Sequence, residues 1–243
     1  MKKPRPFATE VDLCAAFLAA LPKGWTAYNE TAGWDILLVR DGDGFQIGIQ
    51  AKLKFNLAVL HQAIETDFGK WSMRPGPDCR AVMIPNGAGG IGALASYLGL
   101  TVIEVRGADR PRWAKVFEPE LPVLGKEPWR DPWFDLAPAK RHELPAYVPD
   151  CQAGDKAPLQ LTDWKIRALK IAALLELRGF VTRDDFKRLD IDHRRWIAGE
   201  WLVLNAARQW VRGKYFPNFA EQHPRNYAEI KADAESWMRK VGV

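Results

Sequence analysis

Gly33-Trp34-Asp35-Ile36-Leu37-Leu38-Val39-Arg40-Asp41-Gly42-Asp43-Gly44-Phe45-Gln46-Ile47-Gly48-Ile49-Gln50-Ala51-Lys52-Leu53-Lys54-Phe55 is the most informative run of the chain. Asp35–Arg40 is a compact apolar run of strand length, and Asp41-Gly42-Asp43-Gly44 is turn chemistry that reverses it. Phe45 to Phe55 then alternates. Phe45, Ile47, Ile49, Ala51 and Leu53 fall on one face, and Gln46, Gly48, Gln50, Lys52 and Lys54 on the other. The run therefore predicts a β-hairpin whose second strand carries a polar stripe.

Upstream, Trp25 to Tyr28 is a further strand, preceded by a helix. Thr9 with Asp12 forms a capping-box pattern, and Leu13, Cys14, Phe17, Leu18 and Leu21 recur at helical spacing until Pro22 and Gly24 end it. Glu10 lies three and four residues before Leu13 and Cys14, so it leans towards the interior, where a carboxylate needs a partner. Downstream come a helix from Leu57 to about Phe68, a strand (Arg80 to Ile84), a glycine-rich turn, a helix (Ile91 to Leu98) and a strand (Thr101 to Val105). The order α-β-β-β-α-β-α-β closes on parallel strands joined by a helical crossover. Gly87-Ala88-Gly89-Gly90-Ile91-Gly92 spells GxGxxG, but the helix after it is short and Glu104 falls too early for a dinucleotide site, so it reads as a βα turn.

The hairpin brings Asp35 towards Gln50 and Lys52, and Glu10 can approach from the helix. A carboxylate, an amide oxygen and an ammonium group on one face are what metal-assisted phosphodiester cleavage requires. Mg²⁺ takes hard oxygen ligands, often only one or two of them carboxylates. The metal polarises the phosphate and acidifies the attacking water, and a lysine can hold that water or neutralise charge developing on phosphorus.

At these residues the chain resembles the PD-(D/E)xK nuclease superfamily, the restriction-endonuclease-like fold, from Glu10 to about Val105. Gly33-Trp34-Asp35-Ile36-Leu37 is similar to the family's Gly-x-Asp-apolar step, and Ile49-Gln50-Ala51-Lys52-Leu53 to its apolar-acid-x-Lys strand. Gln62 falls where some branches place a glutamine facing the site. Gln50 departs from the usual acid and is similar to the Gln-x-Lys of the Mrr-like branch. A neutral amide removes one negative charge and weakens the hold on Mg²⁺, for which Glu10 or Glu30 can compensate. The resemblance implies a Mg²⁺- (or Mn²⁺-) dependent DNA endonuclease that leaves 5′-phosphate and 3′-hydroxyl ends. It implies that Asp35, Gln50 and the Ala51 carbonyl bind metal, that Lys52 assists the water, and that Glu10 tunes the site or holds a second ion. Restriction, phage DNA processing and repair all use such parts. An inactive nuclease fold retained as a DNA-binding regulator is the alternative, and a helical interaction module with no nucleic-acid role is a third.

The rest of the chain divides by composition. Residues 107–158 hold 9 of the 17 prolines with Trp113, Trp129 and Trp133, and read as an extended strap anchored by its tryptophans. Residues 1–158 carry equal numbers of basic and acidic side chains, so the net charge of +5 resides in residues 159–243, with 16 basic and 11 acidic. A basic module beside a neutral one points to a polyanion partner, DNA. Thr162 caps a helix that runs to Gly179, and Thr182 caps a short helix through Phe186 and Leu189. Asp192 then caps a third helix, from His193 to about Glu200, which completes a helix-turn-helix pattern. Arg183, Lys187, Arg188, Arg194 and Arg195 cluster on it, suited to phosphates and base edges. Trp201 to Leu204 reads as a strand, Gly213-Lys214-Tyr215-Phe216-Pro217 as a wing, and Arg225 to Lys240 as a last helix.

The expected architecture is thus an α/β nuclease-like domain (1–106), a strap (107–158) and a mainly helical, winged-helix-like domain (159–243). Cutting both strands calls for two sites, hence a homodimer. Cys14, Cys79 and Cys151 are scattered and odd in number, which favours a reducing compartment, the cytoplasm. The apolar run Cys14 to Leu21 is far too short for a membrane span and is approached through Glu10 and Asp12, unlike a signal peptide.

Overall fold

The computed structural model describes residues 6–64, 75–85, 91–125, 132–155 and 159–242. Most of the GxGxxG run, Trp129 and the far end of the helix expected to reach Phe68 lie outside the described residues. The chain forms two compact units. One comprises Met1–Leu144 with Gln152–Pro158, the other Pro145–Cys151 with Leu159–Val243. Among the described residues no helix is long and apolar enough to cross a membrane.

The first unit is an α/β layer structure with a six-stranded mixed sheet flanked by helices. Its strands are β1 (Trp25–Thr31), β2 (Trp34–Arg40), β3 (Gln46–Ala51), β4 (Cys79–Ile84), β5 (Leu100–Val105) and β6 (Phe117–Glu118), adjacent in that order. The pairs β1–β2, β2–β3 and β5–β6 are antiparallel, and β3–β4 and β4–β5 are parallel. Helix α1 (Glu10–Ala19) has the expected capping box between Thr9 and Asp12, and it lays Leu13, Cys14 and Phe17 on one face of the sheet. Helices α2 (Leu57–Ile64) and α3 (Ile91–Tyr97) belong to the crossovers β3–β4 and β4–β5. Val59, Leu60 and Ala63 of α2 and Ala95 of α3 pack on the opposite face.

This double covering changes the reading of β3. Its polar stripe is not solvated, because every residue of β3 is buried, as in a central strand with helices on both sides. Gln46 is accommodated by trading hydrogen bonds with the backbone of His142, at 2.9 and 3.0 Å. Gly48 is required by space: a Cβ there would lie 2.3 Å from the Trp34 ring. The strand also stops at Ala51 instead of continuing to Phe55. Beyond it the Lys52 N–H still donates to the Met83 carbonyl at 2.9 Å, and Asn56 then accepts from the Val59 N–H to open α2.

The proline-rich segment is not wholly irregular, since it supplies β6 to the open edge of β5. Trp133 anchors it, 1% exposed, with its Nε1–H donated to the Glu120 carbonyl at 2.7 Å. Trp113 does not anchor it, being 86% exposed.

In the second unit, α4 (Asp163–Arg178) runs from its Thr162 cap to a left-handed Gly179. Val181 makes a single antiparallel bridge to Trp210. Then follow α5 (Arg183–Arg188), with a Thr182–Asp185 capping box, a turn, and α6 (Arg194–Ala198). A hairpin of β7 (Leu202–Leu204) and β8 (Trp210–Arg212) comes next, then α7 (Phe219–Gln222), α8 (Pro224–Ala232) and α9 (Ala234–Val241). Trp196 is wholly buried, with Phe186, Trp201, Phe216 and Phe219 packed around its ring. Two expectations are corrected. The hairpin turn lies at residues 205–209, not 213–217, because Gly213 packs back on the chain, where a Cβ would meet the Glu200 carbonyl at 2.3 Å. The last helix is two, broken at Asp233. Asp150 accepts hydrogen bonds from the N–H groups of Arg225 and Asn226 and pairs with the buried His223, which pins 145–151 to the start of α8.

Gly48→Ala should cost about 1–3 kcal/mol by overpacking against Trp34. Urea denaturation of both proteins checks this, and an unchanged midpoint would contradict the packing described.

Candidate functional site

The turn Ala32-Gly33 joins β1 to β2 with both residues at positive φ, as a tight hairpin needs. The pairs Asn29↔Ile36 and Thr31↔Trp34 set Glu30 across from Asp35. The pair Ile36↔Ile49 sets Gln50 on its other side. Three neighbouring strands thus contribute Glu30, Asp35 and Gln50 in one row. Glu30 itself has φ 50°, a left-handed conformation unusual for a side-chain-bearing strand residue.

Asp35 Oδ2 accepts the Ala51 N–H at 2.7 Å, which ties the start of β2 to the end of β3. Lys52 donates to Glu10 Oε2 at 3.0 Å, and both are half-buried. The inward lean of Glu10 thus has its partner. Gln50 is 2% exposed; its Nε2 donates to the Gly33 carbonyl at 2.8 Å and its Oε1 accepts from Gln62 Nε2 at 3.0 Å. Gln50 and Lys52 therefore do not act from one face as strict alternation predicts. Gln50 reaches α2, whereas Lys52, just past the last strand residue, turns to α1. Glu30 Oε1 accepts the Gly154 N–H at 2.7 Å, a hydrogen bond between residues 124 apart in sequence. A Cβ on Gly154 would stand 3.1 Å from Cys14 Sγ and from the Glu10 backbone, so this turn is seated on the start of α1.

Negative charge is in excess here. Burial raises the Asp35 carboxyl above its usual range and Glu10 adds to this, against the Ala51 N–H and Lys52. Burial, reinforced by Asp35, pushes Glu30 up to about 7 despite its backbone hydrogen bonds. The Cys14 thiol, close to Asp35, Glu30 and Glu10, is also pushed up, chiefly by burial. Among the described residues no three His, Cys, Asp or Glu side chains form a metal cage. Mg²⁺ does not need one, because it commonly takes one or two carboxylates and keeps its waters. The available donors, the carboxyls of Asp35, Glu30 and Glu10, are hard oxygens of the kind Mg²⁺ takes. The residues present fit such an ion.

In the second unit Arg183, Lys187, Arg188, Arg194 and Arg195 are all exposed. Arg194 pairs with Asp192 at 3.2 Å, and Arg188 donates to the Gly242 carbonyl. Arg183, Lys187 and Arg195 have no side-chain partner among the described residues. The corrected hairpin adds Arg208, at its turn with φ 57°. The break at Asn205, Arg208 and Gln209 between the apolar segments Leu202-Val203-Leu204 and Trp210-Val211 was the signal for it. No local signal could have pointed to Gly154.

Compared with known proteins, the chain matches no protein family, no curated protein and no solved structure.

The raised Glu30 carboxyl has a stability consequence. The folded state holds a proton that the unfolded chain gives up near its ordinary value, so stability falls as pH rises from about 4.5 to about 7. Glu30→Gln should flatten that decline and unfold at a higher temperature than the wild type at pH 8, with little difference at pH 4. Thermal melts across this range check it, and parallel curves would refute it.

Proposed function

We propose that this protein is a metal-dependent DNA endonuclease that hydrolyses phosphodiester bonds. The observation that carries the reading is the convergence of Asp35, Glu30 and the Glu10–Lys52 pair at the ends of β1–β3, with Gln50 in the adjacent strand position but turned to α2. Their residue types and spacing resemble a PD-(D/E)xK site in its Gln-x-Lys form. Asp35, Gln50 and the Ala51 carbonyl would hold Mg²⁺ (or Mn²⁺), which supplies charge to polarise the phosphate and to acidify water. Asp35 is oriented by the Ala51 N–H, so its other oxygen is left to face a ligand. Lys52 is held by Glu10, and its ammonium can steady the attacking water or neutralise charge on the phosphorane. Glu30, pushed up to about 7 by burial, adds negative potential for the cation only as it loses its proton near neutral pH.

DNA affinity falls to the basic second unit. Its order of helix, single bridge, helix, turn, helix and hairpin supports a winged-helix reading, with α6 and the hairpin turn offered to DNA. Non-specific affinity of this kind comes mainly from Lys and Arg on phosphates.

A second reading, a catalytically inactive nuclease-fold regulator that binds DNA, is favoured by Gln50. It is neutral where an acid is usual, and both ends of its amide are engaged within the protein.

Supercoiled plasmid with Mg²⁺, Mn²⁺ or EDTA separates the two. The nuclease reading expects metal-dependent nicking or cutting that falls by about 100-fold or more in Asp35→Ala and in Lys52→Ala. DNA bound by all three proteins with no cleavage in any metal would establish the regulator instead. The double substitution Arg183→Ala, Arg195→Ala should weaken DNA binding and reduce the slope of log affinity against log salt by about 0.9 for each phosphate no longer neutralised. An unchanged slope would remove these residues from the interface.

A further inference from the structure

The loop between β5 and β6 carries a feature that the fold does not use. Trp113 is 86% exposed, and among the described residues its ring meets no other ring or cation and its indole N–H has no acceptor. The tryptophan fixed in this segment, Trp133, is buried and hydrogen-bonded. Trp113 is nevertheless held in a defined turn. The Arg106 N–H donates to the Val116 carbonyl at 2.7 Å, Arg110 N–H to Gly107 at 3.2 Å and Ala114 N–H to Pro111 at 2.9 Å. Near it in sequence lie four basic side chains, Arg106, Arg110, Arg112 and Lys115, and three acidic ones, Asp109, Glu118 and Glu120. Arg106 is paired with Glu118 and Lys115 with Glu120, exposed pairs of the kind that exchange readily for another anion. Arg112 is exposed and has no partner among the described residues.

The loop leaves the sheet beside the candidate active site. Strands β3, β4 and β5 are parallel, with Ala51 beside Met83 and Met83 beside Ile103. The end of β5 therefore opens on the same edge as Lys52, two strand spacings or roughly 10 Å across. The base of the loop is pressed against the approach to α1: a Cβ on Gly107 would lie 2.8 Å from Pro6 Cβ, four residues before Glu10.

We infer that Trp113 is a stacking platform for an unpaired nucleobase, flanked by Arg112 for phosphate, and that the substrate of this site is DNA with a single-stranded stretch next to the scissile bond. This rests on the nuclease reading and names its substrate class. A flat indole among arginines offers a π-face and cations together, the combination that holds single strands without regard to sequence. Bases inside a duplex keep their faces stacked on one another and cannot use it. Arg112, with no partner among the described residues, and the exchangeable Arg106 and Lys115 favour a phosphate polymer over an apolar protein surface.

The test uses the full chain in EDTA and a fluorescein-labelled oligonucleotide, single-stranded or annealed to its complement, read by anisotropy. Trp113→Ala should weaken single-strand binding about tenfold, leave duplex binding within about twofold, and leave the melting temperature unchanged, since the ring is not packed. Trp113→Phe should restore most of the loss. Single-strand affinity unchanged in Trp113→Ala, or an equal loss on duplex, overturns the inference. If the wild type cuts plasmid while Trp113→Ala binds single strands normally, this inference fails and the nuclease reading stands. If the wild type binds neither form but binds polyglutamate, the partner is an acidic protein, and both readings are overturned.

Discussion

Asp35 accepts one backbone N–H, that of Ala51, and much of the first unit is arranged by that bond. It fixes the start of β2 to the end of β3 across a buried interval. A buried carboxylate is costly unless paired and hydrogen-bonded, so its neighbours are constrained too. Lys52 is delivered to α1 just past the strand end, and its charge both lowers the cost of Asp35 and engages Glu10. Glu30, across the hairpin, bears the remaining penalty and recruits backbone N–H groups from a distant turn. A few charged groups thereby connect three strands, a helix and a loop.

Strain and burial gather in the same place. Glu30 has a left-handed backbone, Gln50 is an amide buried in a strand covered on both faces, and the carboxyls are raised. Structural economy alone would favour apolar residues here. Departures from the rules that stabilise a core concentrate at sites kept for binding or chemistry. In the second unit the polar burial has another purpose, for Asp150, His223 and Asn226 fasten a returning segment to α8.

What could be read in the sequence was local. The capping box at Thr9–Asp12, the N-caps at Thr162 and Thr182, the Asp-Gly turn, the glycine that stops α4 and the β-α-β order each depend on residues within a few positions. Candidate site residues separated by a hairpin were legible for the same reason. Alternation places Gln50 and Lys52 on one face, but it does not report where a strand ends: β3 stops at Ala51, so Lys52 turns to α1 while Gln50 reaches α2. Strand β6, the His142 exchange with Gln46 and the Gly154–Glu30 bond join residues far apart in sequence, and neither propensity nor period encodes such pairings. The hairpin turn was displaced because glycine and proline after Arg212 look like a turn whether they form a wing or pack back on the chain.

The returning turn at Gly154 also bears on how this chain can be divided. Residues 145–151 belong to the second unit and 152–158 to the first, so the chain passes between the units three times. No single cut yields both units whole. Ending the chain after β5 would bare a strand edge and remove Trp133, and ending it at residue 144 would take the N–H donor from Glu30. The first unit is complete only once about two-thirds of the polypeptide has left the ribosome, well after its last long strand. Exchange of the basic unit with another protein, by recombination or by design, would need three junctions, and the turn that closes over α1 would have to be kept between the last two.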